Sequence, residues 1–203
     1  MTIRATFLAA GALLAATCSD LRAQGVEVSP FVGYRFGGEF ENAATGDRYT
    51  IQAAPTFGVM IDVPIGSNPI RTELLWCRQD TEIQFPGTDG PGLVDLTVDL
   101  WELGAIAEET KDDFVEYISA HVGLTHISTS GHGSDTRVNL SAAVGAKFFI
   151  KPNVALKAEV RGICTFVDTE ATIISIGEGS TLLHYSGSTL WQGQATLGLS
   201  VIF

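Results

Sequence analysis

The sequence predicts an all-β protein, an antiparallel up-and-down β-barrel of eight strands that crosses a membrane. Of the 203 residues, 45% are hydrophobic and only 17% are charged, whereas soluble chains average about 25% charged residues. After the first two dozen residues, no run of about 18 apolar residues could form a membrane-spanning helix. Apolar and polar residues instead alternate with a period of two through most of the chain, which is typical of strands that have one face in lipid.

The first residues have the features of a secretory signal. Arg4 supplies the positive charge, residues 7–16 form an apolar segment, and the small residue Ala23 precedes Gln24. We therefore expect residues 1–23 to be a cleaved signal peptide and residues 24–203 to form the barrel domain. The net charge of −11 argues against nucleic acid as a partner, because nucleic-acid binding depends on basic residues.

The alternation defines the strands one by one. It is cleanest in residues 137–150, 154–166 and 191–203, and it is also clear in residues 26–36 and 51–63. Less regular runs cover residues 70–79, 94–108 and 114–127. In residues 94–108 the apolar phase shifts near Leu100 and Trp101, which suggests a β-bulge. These eight runs of roughly 10 to 16 residues exceed the usual five or six of globular sheets and suit tilted membrane-crossing strands.

The connections between these runs alternate strictly in length. Short, turn-forming segments occupy residues 66–69, 109–113 and 151–153, and long polar segments occupy residues 37–49, 80–92, 128–135 and 168–188. An up-and-down barrel produces this pattern when all tight turns lie at one rim and all extended loops at the other. We therefore expect short periplasmic turns and long extracellular loops.

At the C-terminus, Thr196, Gly198, Val201 and the final Phe203 fit an outer-membrane assembly signal, although an aromatic residue is commoner at the position of Val201. Together with the signal segment and the eight alternating runs, this ending resembles the small eight-stranded outer-membrane β-barrels of Gram-negative bacteria, the group of the OmpA transmembrane domain and OmpX. The resemblance covers essentially the whole chain after the signal segment. It implies a monomer in the outer membrane, surrounded by lipid and lipopolysaccharide and inserted by the barrel assembly machinery. It implies hardly anything about activity.

Charged residues of both signs fall on the face of the strands that is predicted to point inward. An eight-stranded barrel is only wide enough to be filled by side chains, so we expect these charges to pair in a lumen network that closes the barrel, with a narrow gated pore as the alternative. Glu27 shares that face. The predicted network contains Arg35, Asp62, Arg71, Glu73, Asp99, Lys147, Lys157, Glu159 and Arg161.

The cysteines and histidines predict no cofactor or metal site. Cys77 is expected to point inward and Cys164 outward, so both should be free thiols. The four histidines are His121, His126, His132 and His184. His126 and His132, with Asp135, lie in or beside one predicted external loop and His184 lies in another, so a surface metal cluster is an alternative. Their spacing does not show the convergence that a metal site needs, so we expect solvated loop histidines that bind no metal.

One segment raises an enzymatic alternative. His184-Tyr185-Ser186 resembles the His-x-Ser motif of outer-membrane lipid A deacylases, in which a serine nucleophile and a histidine base lie on one strand face. No Asp or Glu follows Glu178 to orient the histidine, and the longer family motif is absent. We therefore expect no catalytic residues and no hydrolase activity.

The last long connection predicts a surface hairpin. Residues 171–176 and 181–185 are β-forming segments on either side of a glycine-rich turn. Its exposed edge is a candidate for strand addition by a protein partner. We therefore expect a structural or surface-interaction role, such as adhesion or envelope stabilisation, carried by the extracellular loops. The hairpin residues are Ile173, Ile174, Ile176, Leu182, Leu183 and Tyr185.

Overall fold

The computed structural model describes residues 25–41, 48–65, 69–85, 92–111, 114–129, 133–166, 172–176, 181–184 and 189–203. The predicted signal segment lies outside the described residues. Within them, no helix is long and apolar enough to cross a membrane. The described strands are β1 (Glu27–Gly37), β2 (Glu39–Glu41), β3 (Arg48–Ile51), β4 (Ala54–Pro64), β5 (Ile70–Phe85), β6 (Gly92–Thr110), β7 (Phe114–Thr129), β8 (Gly133–Lys151), β9 (Val154–Phe166), β10 (Thr172–Ile176), β11 (Thr181–His184) and β12 (Thr189–Ile202).

Eight of these strands close into a barrel. Their order is β1-β4-β5-β6-β7-β8-β9-β12, every neighbouring pair is antiparallel, and β12 pairs back onto β1. The sequence-based prediction of an eight-stranded up-and-down barrel is confirmed. Following paired residues once around the wall from Glu109 on β6 leads back to β6 at Asp99. This stagger of ten residues tilts the strands, as barrel closure requires.

The outer surface of the barrel carries an apolar belt. Large apolar side chains on every barrel strand point outward and are about half exposed, and this is the surface that a lipid bilayer covers. The belt explains how a chain this apolar folds without an interior large enough to bury its hydrophobic residues. Its members include Val32, Phe57, Leu74, Leu103, Val122, Leu140, Val160, Trp191 and Leu197.

The strands on one side of the barrel are longer than predicted. β5 continues to Phe85 and β6 starts at Gly92, while β7 reaches Thr129 and β8 starts at Gly133. Much of the predicted long loops 80–92 and 128–135 is therefore strand. Within loop 37–49, strands β2 and β3 form a hairpin, and β3 adds to the end of β5. The barrel wall thus extends toward the predicted extracellular side.

The predicted bulge in β6 is wrong. Its register to both neighbours is continuous, and the described barrel strands shift register only in β8, between Phe149 and Lys151. The backbone of β6 is regular. Its apolar residues change from the outer to the inner face because the polarity of the wall inverts at this height. Trp76 and Trp101 are paired on the outer face, and two residues further up the same strands the outward pair is Arg78 and Asp99.

Above that level an apolar cluster lies inside the barrel. Residues from β3, β6, β7 and β12 form it, while neighbouring outward residues on β6 and β7, such as Asp95, Thr97 and Ser128, are polar. This is the distribution of a soluble β-barrel, and it marks where the wall leaves the lipid. The upper cluster consists of Ile51, Leu96, Val98, Ile127 and Leu190.

Candidate functional site

The lower half of the lumen holds a network of buried charges. Alternation along each strand sends these side chains inward, and six barrel strands contribute to them. Below the polarity inversion the outer face is in lipid, so polar residues collect inside. The acidic members are Glu27, Asp62, Glu73, Glu102, Glu108 and Glu159, and the basic members in contact with them are Arg71, Lys147, Lys157 and Arg161.

Two lysines link the carboxylates of the lower network. Lys147 Nζ donates to Glu27 Oε2 and to Glu108 Oε1, both at 2.6 Å. Lys157 Nζ donates to Asp62 Oδ2 at 3.1 Å and to Glu73 Oε2 at 2.9 Å. Each buried ammonium therefore has at least two carboxylate partners, which is the condition under which buried charges are tolerated.

Arg161 is the centre of the upper part of the network. Its guanidinium donates to Glu159 Oε1 at 2.9 Å, to Glu102 Oε2 at 3.0 Å and to Glu73 Oε1 at 3.1 Å. It also donates to Ser141 Oγ at 2.8 Å. This side chain is fully buried, and it ties β9 to β5, β6 and β8 across the lumen.

Two ring side chains pack over glycines and complete the network. Tyr117 donates its hydroxyl proton to Glu159 Oε2 at 3.0 Å, and its ring lies against Gly145 on β8, where an added Cβ would be 2.3 Å from the ring. His121 lies over Gly104 in the same manner, with 2.2 Å between its ring and such a Cβ. The absence of a side chain at these glycines is what allows the rings to occupy the lumen.

Most of the predicted network residues lie in this lumen, but two behave differently. Asp99 is on the outer face and does not belong to the network: it accepts two hydrogen bonds from Arg78, at 2.8 and 2.7 Å. The prediction for Asp99 is wrong because the assumed bulge shifted the phase of β6. Arg35 points inward, but its hydrogen-bond partners are neutral, Gln194 Oε1 at 2.8 Å and Cys77 Sγ at 3.2 Å. Arg71 lies at the lower mouth, 3.9 Å from Glu108.

Four residues of the network were missed by sequence reasoning. Glu102 and Glu108 lie on β6, where the predicted network named only Asp99. His121 was considered only as a metal ligand, and Tyr117 was given no role. A continuous even-numbered inward phase for β6, from Leu96 to Glu108, would have identified both glutamates.

The lumen above the charges also holds buried uncharged polar side chains, among them Gln79, Thr125, Asn139, Thr165 and Gln194. Beside them lies a second buried apolar cluster, whose members come from β1, β4, β5, β6 and β9. This cluster consists of Phe31, Met60, Leu75, Cys77, Leu100 and Ile163.

The cysteines and histidines lie apart from one another. Cys77 and Cys164 are both free, with Cys77 inside the lumen and Cys164 on the outward phase of β9. His126 lies on the outer wall beside Thr136, 2.8 Å from its hydroxyl, while His121 is in the lumen. Among the described residues, no group of three or more His, Cys, Asp or Glu side chains could hold a metal ion. His132 lies outside these residues.

Three predicted sites remain: the His-x-Ser segment, the surface hairpin and the C-terminal assembly signal. The first of these cannot be described, because Tyr185 and Ser186 lie outside the described residues. Glu178 also lies outside them. β10 and β11 pair as the predicted hairpin, from Thr172 opposite His184 to Ile176 opposite Thr181, in a sheet separate from the barrel. At the C-terminus, Phe203 N donates to Val26 O at 2.9 Å, which joins the ends of β12 and β1.

Solved structures with a similar fold are small outer-membrane proteins. The chain is similar to Neisserial surface protein A, with a TM-score of 0.58 and 16% identity over 88% of this chain and 97% of that one. It is similar to the outer membrane protein OprG from Pseudomonas aeruginosa, with a TM-score of 0.63 and 11% identity over 88% and 96%. The chain has the fold of a small outer-membrane β-barrel.

A third similar structure is an outer-membrane protease. The outer membrane protease OmpT from Escherichia coli matches with a TM-score of 0.50 and 10% identity over 90% of this chain and 97% of that one. No family profile matches the sequence, and no curated protein matches it significantly. The outer-membrane barrel fold, together with the apolar belt, places the chain in a bacterial outer membrane.

Proposed function

We propose that the chain is a closed outer-membrane barrel that acts through its extracellular side, in surface interaction, adhesion or envelope stabilisation. The observation that carries this proposal is the inversion of polarity at Arg78 and Asp99. Above that level the wall has its own apolar core and a polar exterior, so it stands outside the lipid as a rigid scaffold. Binding residues concentrate on loops that such scaffolds hold.

The filled lumen supports this proposal over a solute channel. Charges occupy its lower half in paired contacts, and two apolar clusters together with buried uncharged polar side chains occupy the region above. A small solute would have to separate buried ion pairs from their partners, and leaving one such charge unpaired costs about 3–5 kcal/mol.

Within the extracellular side, the hairpin β10–β11 is our candidate for partner binding. Its two strands pair only with each other among the described strands. A two-stranded sheet has an edge on each side, and unpaired edge groups are a template for an added strand. The partner that this geometry fits is a protein with an extended segment.

Replacement of the hairpin tests the proposal. A variant with a short Gly-Ser linker in place of residues 173–183 should insert normally, as judged by its heat-modifiable gel migration, and lose binding to host cells, matrix or a neighbouring envelope protein. The matched control carries the same linker in place of residues 86–91, between β5 and β6, and should keep that binding. Normal insertion with every surface phenotype retained would refute the role of the hairpin.

A further inference from the structure

A groove in the outer wall crosses the lower part of the apolar belt, from β6 to β12. Its volume is about 920 Å³, and small-molecule sites commonly measure about 300–1,000 Å³. The wall is recessed there because the outward residues Ala146 of β8 and Ala158 of β9, which are direct neighbours in the register, end at Cβ. Ile118, Val144 and Val160 form a ridge above this floor, and their side chains are more than half exposed.

The groove rises from the periplasmic rim into the belt. Its lower row of paired residues runs from Glu109 of β6 through Glu116 and Ala146 to Ala158. This row is the first half of the path that circles the wall and returns to β6 at Asp99, which lies closer to the extracellular side. Strand tilt therefore inclines the groove across the belt. A lipid whose headgroup lies at the rim would extend its acyl chain along this direction.

The lower end of the groove is charged. Glu109 and Glu116 line it, and Lys111 Nζ pairs with both carboxylates, at 3.1 Å from Glu116 Oε1. All three side chains are partly exposed, so a ligand can reach them. The rings of Phe114 and Phe148 stack directly below, with 5.7 Å between their centroids. The groove thus joins an apolar floor to a polar end that carries both signs of charge.

We propose that this groove binds one phospholipid of the periplasmic leaflet whose headgroup carries a primary ammonium. The acyl chain lies on Ala146 and Ala158 under the ridge, and the ammonium donates to Glu109 and Glu116. Lys111 offers its third N–H to the phosphate, because an ammonium has three donors and the two glutamates take two of them. Lipopolysaccharide does not fit as the occupant, since it lies in the external leaflet of an outer membrane.

The charge of the rim decides which headgroup is preferred. Two carboxylates against one ammonium leave one negative charge in excess, which attracts the ammonium of a zwitterionic headgroup and repels an anionic headgroup. The apolar floor adds little preference between lipids, because an acyl chain gains no hydrophobic energy on moving from the surrounding lipid into the groove. The groove therefore selects the lipid by its headgroup and holds its chain by packing.

Native mass spectrometry of the barrel purified from outer membranes tests the preference. The protein in detergent is titrated with equimolar phosphatidylethanolamine and phosphatidylglycerol of matched acyl chains. We expect phosphatidylethanolamine to be retained about threefold better, the scale of one exposed ion pair. Phosphatidylcholine, whose ammonium has no N–H, should be retained less well than phosphatidylethanolamine. The double variant Glu109→Gln/Glu116→Gln should lose the preference.

Substitution of the floor tests the groove itself. Ala158→Phe fills the groove with a side chain that faces lipid, so it should lower the retention of phosphatidylethanolamine and leave the heat-modifiable migration of the barrel unchanged. Ala142→Phe is the matched control, because Ala142 faces outward on β8 but lies outside the groove, and it should keep wild-type retention. Equal retention of phosphatidylethanolamine and phosphatidylglycerol by the wild type, or wild-type retention by Ala158→Phe, would overturn the proposal. A dimer in place of a lipid-bound monomer would also overturn it, since a second copy of the chain would then cover the groove.

Discussion

Arg161 of β9 and Glu73 of β5 form an ion pair across the lumen, with 3.1 Å between Nη2 and Oε1. Their strands are four positions apart in a ring of eight, so the pair joins opposite walls of the barrel. Both side chains are fully buried. The network therefore acts as the interior core of a barrel whose hydrophobic residues face lipid.

Arg161→Met should destabilise the barrel strongly. It leaves Glu73, Glu102 and Glu159 without a shared cation, and unpaired buried charges of this kind cost about 3–5 kcal/mol. Urea unfolding in lipid vesicles would measure the loss. The control is Lys111→Met, which breaks exposed ion pairs with Glu109 and Glu116 and should cost far less. Equal losses in the two variants would contradict the role of the lumen network.

Gly145→Ala should disturb the same network by steric means. The new Cβ would lie 2.3 Å from the ring of Tyr117, so the ring and its hydrogen bond to Glu159 must move. Overpacking of this kind costs about 1–3 kcal/mol. Gly162→Ala on β9 is the matched control, because nothing lies within 4 Å of the Cβ it adds. We expect a much lower free energy of unfolding for Gly145→Ala than for Gly162→Ala. The same urea titration measures both.

The inversion of wall polarity predicts the depth of the barrel in the membrane. Asp95 and Leu103 both face outward on β6, and they lie on either side of the Trp101–Asp99 boundary. In intact cells, Asp95→Cys should react with a membrane-impermeant maleimide and Leu103→Cys should not. The wild-type protein, which has the barrel thiols Cys77 and Cys164, supplies the background. Labelling of both positions would show that the wall stands further out of the lipid than the belt indicates.

Deletion of Phe203 should impair assembly in cells. Its amide donates to Val26 O at the seam between β12 and β1, and its aromatic ring ends the predicted assembly signal. The fraction of heat-modifiable barrel in outer-membrane preparations measures the effect. Refolding of the same variant from urea into vesicles should be affected much less, since it does not use the assembly machinery; unchanged insertion in cells would count against the signal.

The sequence predicted the strand order and the inward phase well where each strand has one wholly apolar face. Residues 137–150 and 154–166 are of this kind, and Lys147, Lys157, Glu159 and Arg161 all lie inside as expected. Reasoning failed on β6, where Leu96 and Val98 face inward above the lipid and Trp101 and Leu103 face outward within it. An alternation rule with one fixed apolar face cannot describe a strand that passes from lipid into water.

The contacts within the network could not be predicted from the sequence, for a different reason. Glu73 and Arg161 are 88 residues apart, and their meeting depends on the stagger of the barrel, which alternation does not specify. The glycines opposite Tyr117 and His121 carry a weak signal of close packing, but glycine is common in this chain, with 22 residues. Only the register shows which of them have rings lying over them.

The proposed extracellular role rests on a closed lumen. The most direct test of a closed lumen is single-channel recording of the purified barrel in a planar lipid bilayer at neutral pH. Ion pairs across the lower lumen and apolar clusters above them should leave no path for ions, so we expect no stable conductance steps. Arg161→Met, which opens the network at its centre, should show more frequent transient events than the wild type. Stable wild-type steps on the nanosiemens scale would contradict the account and identify the protein as a channel.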